Sequence, residues 1–434
     1  VTRRSITEHR AAVGAHLSGI RRTEKVPVAV ALRRITARPA HAPHSLPLFD
    51  NSAMDGFAVR AAEVQAGTEL PVSGRIFAGD PATEALPPGT VMAIMTGAPL
   101  PGGADAVVPV EQTAEHDGRV RFDATAAPGA FVRPAGDDVS AGARVVDAGV
   151  RLAPRHLGAL AASGIAAVEV YRRPTVAVIS TGSELIRPGT EPTGGQVFES
   201  NSIVLSSLAS EHGAQVVFVA SARDDGDFET ILTAACQDAD LVLTSGGISM
   251  GEREPVRQAL SGHGWFGPVA MQPGGPQGLA TWRGTPVCCF PGNPVSVLVS
   301  FEVLLRDHLR DLGGLAPVPH GRARLLRDVP SIAGKTQFLR GVRCPEAGDV
   351  ETVAPGAERA GDIETVAPGA ERAGDIETVA PGAERAGDIE TVAPVGGAGS
   401  HLAVSAASAD LLIEIDAETT HVAAGTEVTT WPLT

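Results

Sequence analysis

Residues 241–249 read LVLTSGGIS, an apolar run that ends in Thr244 and Ser245 and then breaks into Gly246-Gly247. A short apolar run bounded by turn residues marks a strand buried on both faces. The same pattern appears upstream, where 175–184 reads TVAVISTGSE, and downstream, where 286–296 reads PVCCFPGNPVS. Working outward, the pattern predicts strands at 175–179, 215–220, 241–244 and 286–290. Helical spacing fills 199–212, 228–236, 254–261 and 294–309. Strands alternating with helices predict a mostly parallel sheet covered on both faces.

Three strand-to-helix junctions in this segment are rich in Gly, Ser, Thr and Asn: 180–184, 244–249 and 291–294. In an open parallel sheet such junctions gather at the carboxyl edge, where ligands bind. Glycine lets backbone approach a ligand closely, and helix N-termini present free N–H groups to anions. Asn293 as N-cap with Pro294 at the first helical position is a good helix start. Three such loops on successive sheet units point to a phosphate-bearing ligand; purely structural turns are the alternative.

Around this segment the texture changes. Residues 5–20 have helical spacing, and Ser5 with Glu8 fits a capping box. Residues 26–35 continue as apolar structure, after which Pro39, Pro43 and Pro47 impose an extended path. Residues 56–135 hold short β-prone runs at 57–59, 91–95, 106–110 and 119–122, punctuated by Gly and Pro, which predicts a small β-rich domain. A helix is expected at 154–163, with proline in its first turn. From 319 onward the signals are again β.

One segment is repetitive. ETVAPGAERAGDI at 351–363 recurs at 364–376 and 377–389, and a partial fourth copy, ETVAP, ends at Pro394. Thirteen residues is too short a period for a solenoid. The simplest account is an in-frame duplication that expands a surface hairpin, leaving 351–389 as a solvent-exposed excursion between strands. Each copy carries net charge −2, so the three contribute −6 of the chain's −15.

That net charge argues against a nucleic-acid-binding surface. At 434 residues the chain is long enough for several domains. Apolar residues make up 43% and aromatics only 4%, so Ala, Val and Leu must fill the cores. The only lysines are Lys25 and Lys335, which leaves Arg, backbone N–H groups or a metal for any anion site. Gly334-Lys335-Thr336 imitates a Walker loop, but the position that needs the first glycine is Val329. Cys236, Cys288, Cys289 and Cys344 form no C-x-x-C pair, and buried reduced thiols are expected. Val1-Thr2-Arg3-Arg4 is not followed by a signal core. The longest apolar stretch, 286–305, is broken by PGNP and Glu302, so it does not span a membrane. These features predict a soluble cytoplasmic protein.

Carboxylates sit beside the loop signals: Asp50, Asp55, Asp137, Asp138, Glu184, Asp224, Asp225, Glu252 and Glu254. Each has two readings, a cap or solvated loop residue, or an acid that shares Mg²⁺ with phosphate oxygens.

The segment 49–58, FDNSAMDGFA, resembles the S-A-M-D-G-[YF]-A signature of molybdopterin molybdenumtransferases. TGAPLP at 96–101 with ADAVV at 104–108 is similar to their T-G-A-P-x-P…A-D-A-V segment. GDDV at 136–139, 180–185, 244–251, PGNPVS at 291–296 and QFLRG at 337–341 follow in the family's order. The resemblance covers the chain apart from the repeats. It implies a multidomain α/β fold. An elongated discontinuous domain would use 1–50 with 136–173, around an inserted β-rich domain at 51–135. A three-layer α/β/α molybdopterin-binding domain would span 174–318, and a C-terminal β domain 319–434.

The implied reaction inserts molybdate into adenylylated molybdopterin and releases AMP to give molybdenum cofactor, with Mg²⁺. By the same resemblance the catalytic residues are Asp55, Thr96, Asp138, Glu184, Asp225 and Glu254, with Asp55, Asp225 and Glu254 as metal ligands. The substrate would rest on Thr181, Gly182, Ser245, Gly246, Gly247 and Ser249. Pro291, Gly292, Asn293, Pro294 and Ser296 form its other wall, and Ser52, Arg133 and Arg340 complete the binding set. The resemblance also implies a homodimer with Asp55 and Thr96 acting in trans, and a molybdopterin adenylyltransferase as upstream partner. Three departures stand out. Where the family pattern has the lysine-bearing P-G-K-P, this chain has PGGP at 273–276, preceded by Gln272. S-V-G-x-x-D becomes SMGERE at 249–254, and T-G-D-E-L becomes TGSEL at 181–185. Arg133, Arg253 and Arg340 are the candidates to supply the missing charge. A non-catalytic pterin carrier or scaffold of the gephyrin-like kind, a tungstate-inserting enzyme and a general phosphate-ester hydrolase are the competing functions.

Overall fold

A computed structural model describes residues 2–433 apart from 81–83, 225, 227, 250, 252–253, 345–389 and 397–398. The chain forms two compact units, 22–172 and 1–21 with 173–434.

In the larger unit, Gln215–Ala222, Thr175–Thr181, Leu241–Ser245 and Thr285–Phe290 lie side by side and parallel. Side chains alternate across a strand, and both faces are buried. Val176 and Val178 join one core, Ala177 and Ile179 the other. The adjacent cysteines divide the same way, Cys288 to the first core and Cys289 to the second. All four cysteines are free. Helices Ile6–Leu17 and Asn201–Glu211 supply side chains to the first core, and Phe228–Ala235 and Pro255–Leu260 to the second. The expected three layers are present. Two antiparallel strands, Pro276–Trp282 and Gly264–Pro268, extend the sheet beyond the predicted ones.

Two features depart from expectation. The capping box at Ser5 and Glu8 forms as predicted. The helix it starts, however, buries Val13 and Leu17 in the first α/β core, so residues 1–21 belong with the larger unit and not with 22–50. The single helix expected at 294–309 is helix Pro294–Ser300, a π-helical turn Phe301–Leu305 and helix Arg306–Leu312. This turn carries a buried ion pair. Arg306 Nη1 donates to Glu302 Oε2 at 2.7 Å with neither side chain exposed, and also to the Pro432 carbonyl at 2.9 Å.

In the last domain, Thr336–Cys344, Thr391–Pro394, Gly321–Leu325, Glu427–Pro432 and Leu411–Ile415 pair in sequence. Leu411–Ile415 pairs back onto Thr336–Cys344, closing a barrel. The fourth ETVAP copy is one of its staves, with Val392 fully buried. The excursion expected at 351–389 lies outside the described residues.

In the smaller unit, a six-stranded mixed sheet runs Ala106–Pro109, Gly56–Val59, Val91–Ile94, Glu69–Ile76, Arg119–Phe122, Thr113–His116. Beside it, Thr23–Pro27 pairs with Ala167–Tyr171, and Ala40–His41 with Arg144–Val146. Val26, Val146, Leu160 and Val168 form their common core, to which both 22–50 and 136–172 contribute. The helix expected at 154–163 spans Pro154–Ala162.

Two outcomes follow. Cys344 pairs with Thr391, and deleting 351–389 rejoins Val350 to Glu390. This shortens the connection from 46 residues (345–390) to seven (345–350 and 390). Loop entropy of about 0.6 kcal/mol per doubling then favours the deleted chain by roughly 1–2 kcal/mol. Calorimetry should show an equal or higher melting temperature; a lower one would mean that the repeats pack. Replacing Glu302 by Ala removes the nearer of the two carboxylates beside buried Arg306 and leaves only Asp307 Oδ1, 3.5 Å from Nε, a loss of roughly 3 kcal/mol, whereas replacing both Glu302 and Arg306 by Met recovers most of it. Denaturation of the two variants decides between this and a dispensable pair.

Candidate functional site

The three Gly-rich junctions lie at one edge of the parallel sheet and are tied to each other. Thr181 Oγ1 donates to the Ser245 carbonyl at 3.2 Å, and the Gly246 N–H donates to the Phe290 carbonyl at 3.0 Å. Gly246 has φ +85°, and a Cβ there would stand 2.7 Å from the Thr181 carbonyl oxygen. Any larger residue would push the loops apart. Asn293 has the extended N-cap backbone with Pro294 at the start of the helix, but its side chain makes no cap bond. Its Nδ2 donates instead to Ser400 Oγ, 2.8 Å away.

These loops wall a cavity of about 810 Å³. Of the expected residues, Thr181, Gly182, Glu184, Gly246, Gly247, Ser249 and Glu254 line it. The whole PGNP turn, 291–294, and Ser296 line it too. Two expected contacts sit behind the wall. Ser245 is buried at its strand end and offers its carbonyl to Thr181. Arg340 is 2% exposed, and its guanidinium donates to the carbonyls of Leu402 and Gly396 and to Ser405 Oγ. It holds Leu402 and Ser405, next to Ser400 and His401, which line the cavity. Asp225 and Arg253 lie outside the described residues.

The structure adds residues that the resemblance did not assign to the site. Asn201 bridges two elements, its Nδ2 donating to the Gly292 carbonyl at 2.7 Å while its buried Oδ1 has no partner. An unpaired buried acceptor on a cavity wall is a place for a ligand N–H. Asp224 is a lining acid. It accepts from the Ser183 N–H at 3.1 Å, and its own N–H donates to Ser183 Oγ at 3.0 Å. Glu254 accepts from the Ser249 N–H at 2.8 Å. Gln272, both glycines of PGGP, Lys335, Ser400 and His401 complete the wall. Spacing rules could not reach Lys335, because even the nearest other wall residue in sequence, Ser296, precedes it by 39 residues.

Three carboxylates, Glu184, Asp224 and Glu254, therefore face one cavity. Among the described residues no three His, Cys, Asp or Glu side chains form a ready metal cage. Mg²⁺ takes one or two protein carboxylates with substrate phosphates and water, a number these three acids can supply.

The other expected residues belong to the smaller unit. Asp55 Oδ1 accepts from the Thr96 N–H at 2.7 Å and from Thr96 Oγ1 at 2.8 Å. These two bonds hold the Asp55 carboxyl below the usual carboxylate range. Ser52 is fully buried and donates to the Met54 carbonyl, so its hydroxyl shapes the SAMDG turn. Arg133 pairs with Asn51 across two short strands and reaches the Ala53 carbonyl at 3.5 Å. Ser52, Asp55, Thr96 and Arg133 thus share one turn region. Asp138 is exposed on a separate loop, its N–H bonded to the Leu46 carbonyl.

Three family models match the chain: the MoeA N-terminal region (domain I and II) at 4–164, a probable molybdopterin binding domain at 177–311, and the MoeA C-terminal region (domain IV) at 374–433. The molybdopterin molybdenumtransferase 2 of Mycobacterium tuberculosis is 44% identical over 82% of this chain and 91% of its own length. The molybdopterin molybdenumtransferase of Haemophilus influenzae is 36% identical over 77% of this chain and 85% of its own. The crystal structures of two MoeA proteins from Pyrococcus horikoshii superpose with TM-scores of 0.74 and 0.63, at 28% and 25% identity, over 99% and 100% of both chains. The cavity loops, the SAMDG turn and these matches agree: the chain belongs to the MoeA family of molybdopterin molybdenumtransferases.

Proposed function

We infer that this chain inserts molybdate into adenylylated molybdopterin, releasing AMP and molybdenum cofactor. The observation that carries this is one cavity in which three Gly-rich strand-end loops, three carboxylates and the last domain's wall converge, in a chain of this family. The Gly246-Gly247 and PGNP loops take the pterin and its phosphate, and Asn201 Oδ1 accepts a pterin N–H. Mg²⁺, shared with the substrate's phosphate oxygens, would draw one or two of its ligands from among Glu184, Asp224 and Glu254. When bound, that ion neutralises charge developing on the cleaved phosphoanhydride. An upstream molybdopterin adenylyltransferase supplies the substrate. Among the described residues no helix is long and apolar enough to cross a membrane, and the free, buried Cys288 and Cys289 fit a reducing cytoplasm.

Asp55 and Thr96 reach this reaction from a second copy in a homodimer. Leu48, Phe49, Met54, Met95 and Phe131, close in sequence to the SAMDG turn and its partners, are exposed large apolar side chains, as expected of a surface that another copy covers. Because its carboxyl is held acidic, Asp55 is a weak base. Its role is a fixed negative charge that orders Mg²⁺ or the attacking group.

The direct test is molybdate-dependent AMP release by the purified chain, with tungstate in parallel. No AMP in either case supports the carrier reading, and faster turnover with tungstate supports the tungstate one. Asp55→Asn keeps the turn, so it should fold and bind adenylylated molybdopterin while turnover falls by about 10²-fold or more. Normal AMP release would return Asp55 to a turn cap. Mixing Asp55→Asn with Glu254→Gln chains should restore part of the activity. Mixed dimers as inactive as each parent would exclude a site shared between copies.

A further inference from the structure

Lys335 belongs to no recognised motif, and spacing alone sets its Gly-Lys-Thr aside. The structure gives it a place. Gly334, with φ +82°, turns the chain, and its N–H donates to the Ala417 carbonyl at 2.7 Å. The Thr336 N–H donates to the Ala270 carbonyl at 3.0 Å, and Thr336 and Gln337 then pair in parallel with Met271 and Gln272. Backbone bonds on both sides of Lys335 thus anchor it beside the strand that leads into PGGP. The half-buried side chain lines the cavity.

The charge balance of that cavity makes Lys335 informative. Its described lining contains three carboxylates and no arginine, and Lys335 is its one permanent cation. Among the described residues Lys335 makes no ion pair, so its ammonium is available. Gly275, where the family pattern has lysine, lines the same cavity. With no cation on the wall, a dianion entering this space would be repelled by each of the three acids. Arg340, an earlier candidate for that charge, is committed to Gly396 and Ser405.

We propose that Lys335 is the cationic contact for the tetrahedral dianion, molybdate, replacing from the C-terminal barrel the lysine this chain lacks at 275. The assignment rests on the transferase reading for the identity of the dianion. It makes Lys335 a substrate-binding and specificity-determining residue, not an acid or base.

The chain's two lysines provide the experiment. Wild-type protein is acetylated with and without saturating molybdate and mapped by mass spectrometry, with exposed Lys25 as the internal control. Molybdate should slow labelling at Lys335 by about tenfold or more and leave Lys25 unchanged. In equilibrium dialysis, Lys335→Met should weaken molybdate binding by about tenfold or more, and Lys335→Arg should retain most of it. Binding of adenylylated molybdopterin should stay within about twofold in both variants, because other loops hold it. A Cβ at Gly275 would make only ordinary contacts, the nearest at 3.6 Å. Gly275→Lys in the Lys335→Met chain should therefore restore molybdate binding. Unchanged labelling at Lys335, no molybdate binding by wild type, or loss of the pterin ligand instead of molybdate would each overturn the assignment. Labelling and dialysis need no turnover, so absent AMP release would count against the transferase reading and leave the Lys335 result to stand by itself.

Discussion

Val176 and Val178 pack on one side of the central strand and Ala177 and Ile179 on the other, so neither face of the sheet meets water. A parallel sheet buried on both faces needs helices on each side, and each crossover returns the chain to the same edge. The strand ends at Thr181, Ser245 and Phe290 therefore share one rim. Their bonds across that rim, Thr181 to Ser245 and Gly246 to Phe290, are possible only because the strands run in register. The cavity is a consequence of how the core is covered.

The far wall depends on a second arrangement. Arg306 is bound both to Glu302 in the α/β core and to the Pro432 carbonyl at the end of the barrel. The short Met271–Gln272 strand pairs with the barrel stave that follows Lys335. Arg340 fixes the loop that carries Ser400 and His401. None of these groups resembles a ligand contact, yet together they decide which side chains face the substrate. An arginine beside an anion site invites the reading of an anion ligand. Burial and carbonyl partners give it a different job here.

The acids divide by environment. Glu184, Asp224 and Glu254 share a cavity, and the latter two are held by backbone N–H groups. Asp55 is exposed, in the other unit, and kept ionised by Thr96. A carboxylate so stabilised contributes charge more readily than it accepts a proton. For that reason the electrostatic role is the one assigned to it.

Much of this was legible in the sequence because it is local. Apolar runs closed by Gly or Ser marked the strands, the Ser5–Glu8 box marked a helix start, and SAMDG with PGNPVS marked the family. Backbone sterics and capping chemistry act within a few residues, so short strings suffice for them. What only tertiary structure decided involves partners far apart in the chain. Helix Ile6–Leu17 joined the α/β core because Val13 and Leu17 find apolar partners there. The last repeat copy became a barrel stave because the pairing edges of Thr336–Cys344 and Gly321–Leu325 were open to it. Arg340 turned inward because unpaired loop carbonyls needed donors. Lys335 reached the cavity because parallel pairing with Met271–Gln272 carried it there. Each outcome depends on burial or pairing between segments tens to hundreds of residues apart, which no local pattern encodes.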